Sequence, residues 1–275
     1  MTQEIIATEV VVDANNKRAR NLAVPSWVYS ILLLLAFLGF WEAYVRRWDV
    51  SRFILPPPSV VMSAWVEALA TKRLWIHTWV TVEETALGFF FATITGVVLG
   101  AALGKMPRLE QTLSPFIVAT QVIPKVALVP LFVVWFGFGL TPKVVIAAVL
   151  AFFPILVNTI LGVKSVDRGH QEVMISLNAS RWQTLTQLTL PSALPYILTG
   201  MEMGIVLSII GAVVGEYLGG NAGLGNIAVQ EMNSFNTTAL FAVIVHLSLL
   251  GFVFFALIVA ARRYLIEWHH SSGNH

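Results

Sequence analysis

The chain has 275 residues, 57% of them apolar and only 12% charged, where an ordinary soluble domain carries about 25% charged residues. Seventeen basic and fifteen acidic side chains are too few to coat a soluble surface, and a net charge of +2 is no nucleic-acid footprint. A helix needs about 20 apolar residues to cross a bilayer, so this length gives roughly five to seven spans and excludes a soluble enzyme, a disordered chain or a fibre.

Residues 1–24 form a polar lead with Lys17, Arg18 and Arg20 before the first apolar run, Trp27 to Val45. That run closes on Phe40-Trp41-Glu42, not on a small-residue cleavage site, so it reads as a retained anchor. Residues 46–76 are mixed. Pro56-Pro57-Pro58 cannot be helical throughout, and Ser59 starts a short surface helix running to Ala70. The second span is expected from Trp79 to Leu103, with Glu83 and Glu84 near its start. After the Lys105 to Glu110 turn, a third runs from Leu113 to Phe136, interrupted by Pro124, Lys125 and Pro130. The fourth covers Val144 to Val163. The longest polar stretch, Lys164 to Ser192, separates it from the fifth, Leu194 to Leu218. The sixth, Ala239 to Ala261, ends in Arg262-Arg263. The organisation is therefore a tail (1–24), a first span with an external segment (25–76), a core (77–263) and a second tail (264–275).

Six spans put both termini on one side. Ten basic residues fall on that side and six on the other, which places the termini and 164–192 in the cytoplasm, with Arg46, Arg47 and Arg52 dissenting. Two spans repeat a small residue every fourth position: Gly96, Gly100 and Gly104, then Gly211, Gly215 and Gly219. Such stripes let helix backbones approach, either within one subunit or across an interface; spacing alone does not separate the two.

Chemistry is scarce. Cysteine is absent, which removes disulfides, thiolate metal sites and cysteine nucleophiles. Gly100 to Met106 is one residue short of a phosphate loop and has Met where a metal-binding Ser or Thr belongs, so the chain binds no ATP this way. The six histidines form no metalloprotease helix. Glu83 and Glu84 are adjacent and make a poor acid–base pair. Lys125, Glu202 and Glu216 are the intramembrane candidates for a translocation path, snorkelling being the alternative for the two glutamates near the ends of their span.

Residues 164–192 read as two short helices and a corner. Asp167 caps the first, whose Val173, Met174 and Leu177 share a face. Asn178 tolerates the left-handed conformation that closes a helix, and Ser180 with Gln183 forms a capping box for the second. Trp182, Leu185 and Leu188 make another apolar stripe; Pro191 is expected to end that helix and Pro195 to open the fifth span. Such a pair lies on the membrane surface or enters a partner's groove.

Glu172-Val-Met-Ile-Ser-Leu-Asn178, nine residues, then Leu188-Thr-Leu190-Pro191, resembles the signature loop of ABC importer permeases: Glu-Ala-Ala, three residues, Gly, nine residues, Ile-x-Leu-Pro. The spacing fits without a gap. The strings from Ala179, Ser180-Arg181-Trp-Gln and Leu190 to Gly200, Gly215-Glu216 before Gly223-Leu-Gly225, and Leu55 to Ser59 are similar to the nitrate, sulfonate, taurine and bicarbonate branch. Val173 and Met174 replace both alanines of the pattern, and Asn178 replaces its glycine.

The resemblance implies an all-α polytopic fold of about six transmembrane helices, of the type I ABC importer permease kind. It implies a second permease copy, two separate ATPase subunits carrying ATP and Mg, and an external solute-binding protein delivering a small anion such as nitrate, a sulfonate, taurine or bicarbonate. The loop around Glu172 to Arg181 would be the coupling element. Against it stand an ion-gradient-driven carrier, which predicts acidic relays and inverted repeats, a membrane-embedded enzyme and a mere anchoring subunit.

Overall fold

The computed structural model describes residues 25–266; the expectations for both tails, His269 and His270 included, lie outside them. Every regular element among the described residues is helical. Five helices are long and apolar enough to cross a membrane, or six if one bent pair counts as a single span. The chain divides into two compact units, at Val60/Val61.

The first unit holds α1 (Ser26–Arg47) and the start of α2 (Pro58–Leu69). The Glu42 carboxylate accepts from Arg46 Nε (2.6 Å), Ser59 Oγ (2.8 Å) and the Ser59 backbone N–H (3.0 Å). A remote acid thus satisfies a donor that the proline-started helix leaves open.

The second unit is built on three long helices: α3 (Lys72–Lys105), α6 (Leu140–Lys164) and α9 (Leu190–Gly219). Helix α3 starts seven residues before the expected Trp79, capped by the Thr71 hydroxyl, which accepts from Leu74 N. A stripe of small residues lets α3 lie against α6. A Cβ on Gly100 would sit 2.6 Å from Thr159 Cβ, and one on Gly104 2.7 Å from Val163 Cβ. On α9 a Cβ at Gly211 would meet Ala147 Cα at 2.6 Å, and one at Gly215 Lys143 Cα at 3.1 Å. The glycines named in the sequence therefore pack helices of the same chain, with Gly219 against Val133. Gly211→Ala, which collides with backbone, should cost about 1–3 kcal/mol. Gly96→Ala, which meets the Ile155 side chain at 2.9 Å, should cost less. Thermal unfolding of the purified protein in detergent ranks the two.

Between α3 and α6 the chain is broken. Helix α4 (Pro107–Val122) and the segment Lys125–Phe136, which ends in α5 (Val129–Phe136), meet at 80°. Pro124 has no N–H to donate and forces Ile123 to extended dihedrals (φ −65°, ψ 126°), which ends α4. Pro130 falls in the first turn of α5, where a proline is tolerated.

Helices α7 (Arg168–Ser176) and α8 (Arg181–Thr184) form the polar stretch, while α10 (Leu224–Asn233) and α11 (Thr237–Leu265) complete the unit. Pro191 does not end the second helix of the polar stretch, and Pro195 does not open the fifth span. A π turn over Leu185–Thr189 joins α8 to α9 without a gap. Its bonding shifts to i→i−5: Leu190 N–H donates to Leu185 O, and the Thr189 hydroxyl to Thr184 O at 3.1 Å. Pro191 falls in the first turn of α9 just after the wider turn, and Pro195 lies inside α9, so the helical path from Arg181 to Gly219 is continuous.

Candidate functional site

Two places in the second unit concentrate polar chemistry, one at each end of the long helices. The first is the elbow after α6. The Asp167 side chain accepts from His170 N, capping α7. At its far end Asn178 is left-handed (φ 51°). Asn178 N–H returns to Ile175 O at 2.9 Å and Ala179 N–H to Met174 O at 3.0 Å, the paired bonds of a Schellman closure with asparagine in the glycine's place. Ser180 and Gln183 then bond reciprocally, Ser180 N to Gln183 Oε1 at 2.8 Å and Gln183 N to Ser180 Oγ at 3.2 Å.

Back-to-back caps close this corner through bonds among its own residues. A cleft of about 320 Å3 opens beside it, lined by Lys105, Val163, Gln171 and Thr189 among others. Glu172 and Arg181 are exposed, and so are the apolar Val173, Ile175, Leu177 and Trp182; Met174 is half-buried. Large apolar side chains on such an elbow suit a membrane surface or a partner's groove. The elbow's second arm runs through Leu190 and Pro191 straight into α9.

The second place lies where α3, α6, α9 and α10 converge. Lys143 on α6, 5% exposed, donates to Glu84 Oε1 on α3 at 2.6 Å and to Ala222 O at 3.1 Å. Glu216 on α9 is fully buried beside Glu84 and accepts from Thr81 Oγ1 and Gly225 N, both at 2.6 Å. The Thr81 oxygen accepts from Leu224 N at 2.9 Å, and His77 Nδ1 from Gly223 N at 2.9 Å. The open N–H groups at the start of α10 thus meet a carboxylate, a hydroxyl and an imidazole, the partners its positive end favours. Nearby, His246 Nδ1 accepts from Trp65 Nε1 (3.4 Å), and its Nε2 lies 3.0 Å from the Thr78 hydroxyl. His246 is held between helices.

The other sequence candidates fall elsewhere. Glu202 on α9 is paired with Arg262 on α11, whose Nη1 is 3.1 Å from both carboxylate oxygens. Lys125 stands at the α4–α5 break with its Nζ 4.7 Å from the centre of the Phe153 ring.

Residues 92–265 match the family described as the binding-protein-dependent transport system inner membrane component. The chain belongs to that family. It is a multi-pass membrane protein and an ABC importer permease by kinship.

The riboflavin transport system permease protein RibX of Chloroflexus aurantiacus is 38% identical over 92% of this chain and 96% of its own. The formylaminopyrimidine transport permease protein ThiX of Halalkalibacterium halodurans is 35% identical over 92% and 98%. The taurine transport system permease protein TauC of Escherichia coli is 31% identical over 87% and 89%. An inward-facing structure of the MetNI methionine ABC transporter shares the fold, with a TM-score of 0.63 at 22% identity over 70% of this chain and 96% of that one. In this permease the sequence motifs located the elbow but passed over Glu84, Lys143, Thr81 and His77. The signal for them was the small-residue stripe of α3, which runs back from Gly96 through Gly88, Thr85 and Thr81 and marks the buried face.

Proposed function

We propose that this chain is the membrane half of an ATP-driven importer whose motor is supplied by separate ATPase subunits gripping the elbow, Glu172 to Arg181. Two copies of the chain form the passage, both termini face the cytoplasm, and an external binding protein delivers the solute at the α10 end. ATP and Mg reside on the motor. The observation that carries this reading is the elbow itself: closed by its own caps, apolar on its exposed face, and continuous with α9 through the π turn. ATP closing the motor pulls the elbow, and α9 carries the displacement to the packed face it shares with α6. Such a switch requires ATP to bind the two states of the assembly with different affinity.

The names of the relatives offer two cargo classes, a heterocycle and a small sulfonate or nitrate. An ion-gradient carrier would need acidic groups open to a water path, whereas Glu216 and Glu84 are bonded to α10 and Lys143, and Glu202 to Arg262.

Asn178→Trp puts a bulky side chain in a left-handed corner at a cost of about 1–2 kcal/mol, and Glu172→Trp crowds the same surface. Both variants should lose co-purification of the ATPase and at least 90% of uptake, that is about tenfold or more for a coupling of 1.4 kcal/mol. Wild-type values in both measurements would refute the assignment.

A further inference from the structure

Every other ion pair described inside the second unit joins a lysine or arginine to a carboxylate: Lys143 to Glu84, Lys164 to Glu110, Arg262 to Glu202, Arg73 to Glu231. Lys125 is held differently, over an aromatic ring. Among the described residues its recorded partner is the π face of Phe153, 4.7 Å away. Both residues are half-buried. Phe153 sits near the middle of α6, about 20 Å of helix from Leu140 and about 17 Å from Lys164. At that depth a lysine side chain does not reach either membrane surface, and a lipid-facing cation would be costly, so the ammonium belongs to a protein-lined or water-filled route. The 80° break beside it frees backbone groups, which are tolerated at membrane depth only on such a route. The Phe153 ring is itself fixed edge-to-face by Phe152, with centroids 5.1 Å apart and planes at 80°.

Resting on the importer reading above, we propose that Lys125 and Phe153 form the cargo-selecting contact of the passage, and that its cargo is a small planar heteroaromatic molecule. A flat ring replaces the ammonium on the Phe153 face while an electron-rich ring oxygen or nitrogen accepts from Lys125 Nζ. The exchange is reversible because the resting partner is a ring quadrupole. A buried carboxylate would hold the lysine shut, and a passage must bind weakly enough to release. A small aliphatic sulfonate gains the charge but no stacking on the ring.

The test is ATP-dependent uptake of riboflavin, formylaminopyrimidine and taurine into proteoliposomes holding the permease with its ATPase and binding protein. One of the two heterocycles should accumulate. Lys125→Met and Phe153→Leu should each lower its uptake about tenfold, chiefly through KM, while Lys125→Arg and Phe153→Trp stay within about threefold of wild type. ATPase co-purification should be unchanged in all four. Uptake of taurine without either heterocycle, or heterocycle uptake indifferent to Lys125→Met and Phe153→Leu, overturns the proposal and leaves the importer standing. A wild-type permease that holds no ATPase overturns both.

Discussion

Lys143→Met should destabilise the permease by about 3–5 kcal/mol, the usual cost of removing one partner from a buried ion pair. The substitution keeps the size and apolar stem of the side chain and deletes only the ammonium. What remains is the Glu84 carboxylate, 1% exposed and beside the equally buried Glu216, with its 2.6 Å donor gone and the Ala222 carbonyl also unpaired. Neither carboxyl can turn to water, because α3, α6 and α9 close around them. The double variant Lys143→Met with Glu84→Gln should recover most of the loss, since a neutral amide tolerates the site far better than an orphaned charge. A double-mutant cycle on thermal unfolding in detergent or nanodiscs measures the coupling directly. Additive losses would mean that water, not the ion pair, satisfies the cluster.

Much of this architecture was legible in the chain, for reasons that can be named. The elbow is encoded locally: a cap, a left-handed corner and a reciprocal capping box involve residues three to five apart, so Asp167, Asn178, Ser180 and Gln183 announce it on their own. The break at Pro124 is equally local. The course of α8 into α9 was not legible, because a π turn carries no residue code and prolines ordinarily mark an end. Lys143 falls one residue before the expected fourth span and Glu84 near the start of the second, since helix starts are judged from hydropathy. The Thr71 cap draws seven further residues into α3, and only then does Glu84 lie inside the bundle. Their meeting joins positions 59 apart in the chain, which no local pattern reports.

The seat of α10 is the other place where one atom should matter greatly. Gly223 has φ 110° and ψ 167°, a region essentially closed to residues with a side chain. A Cβ there would also press into the Glu216 carboxyl group. That carboxyl cannot retreat, because its two oxygens hold Thr81 and Gly225 on opposite sides. Strain and overpacking together set the expected cost of Gly223→Ala at about 2–5 kcal/mol. The damage should be local first: α10 contributes Leu224, Ile227 and Ala228 to a core with Leu74 and Val243, so freeing its start exposes that cluster. Proteolysis between Gly219 and Asn236 should accelerate before global unfolding shifts. Gly251→Ala supplies the contrast. It lies within α11 with its nearest neighbour, Ile209 Cδ1, 3.8 Å from the new methyl, so alanine's helix preference should make it neutral or stabilising by up to about 1 kcal/mol. Equal behaviour of the two alanines would show that α10 is held by its apolar face alone and that the Glu216 seat is dispensable.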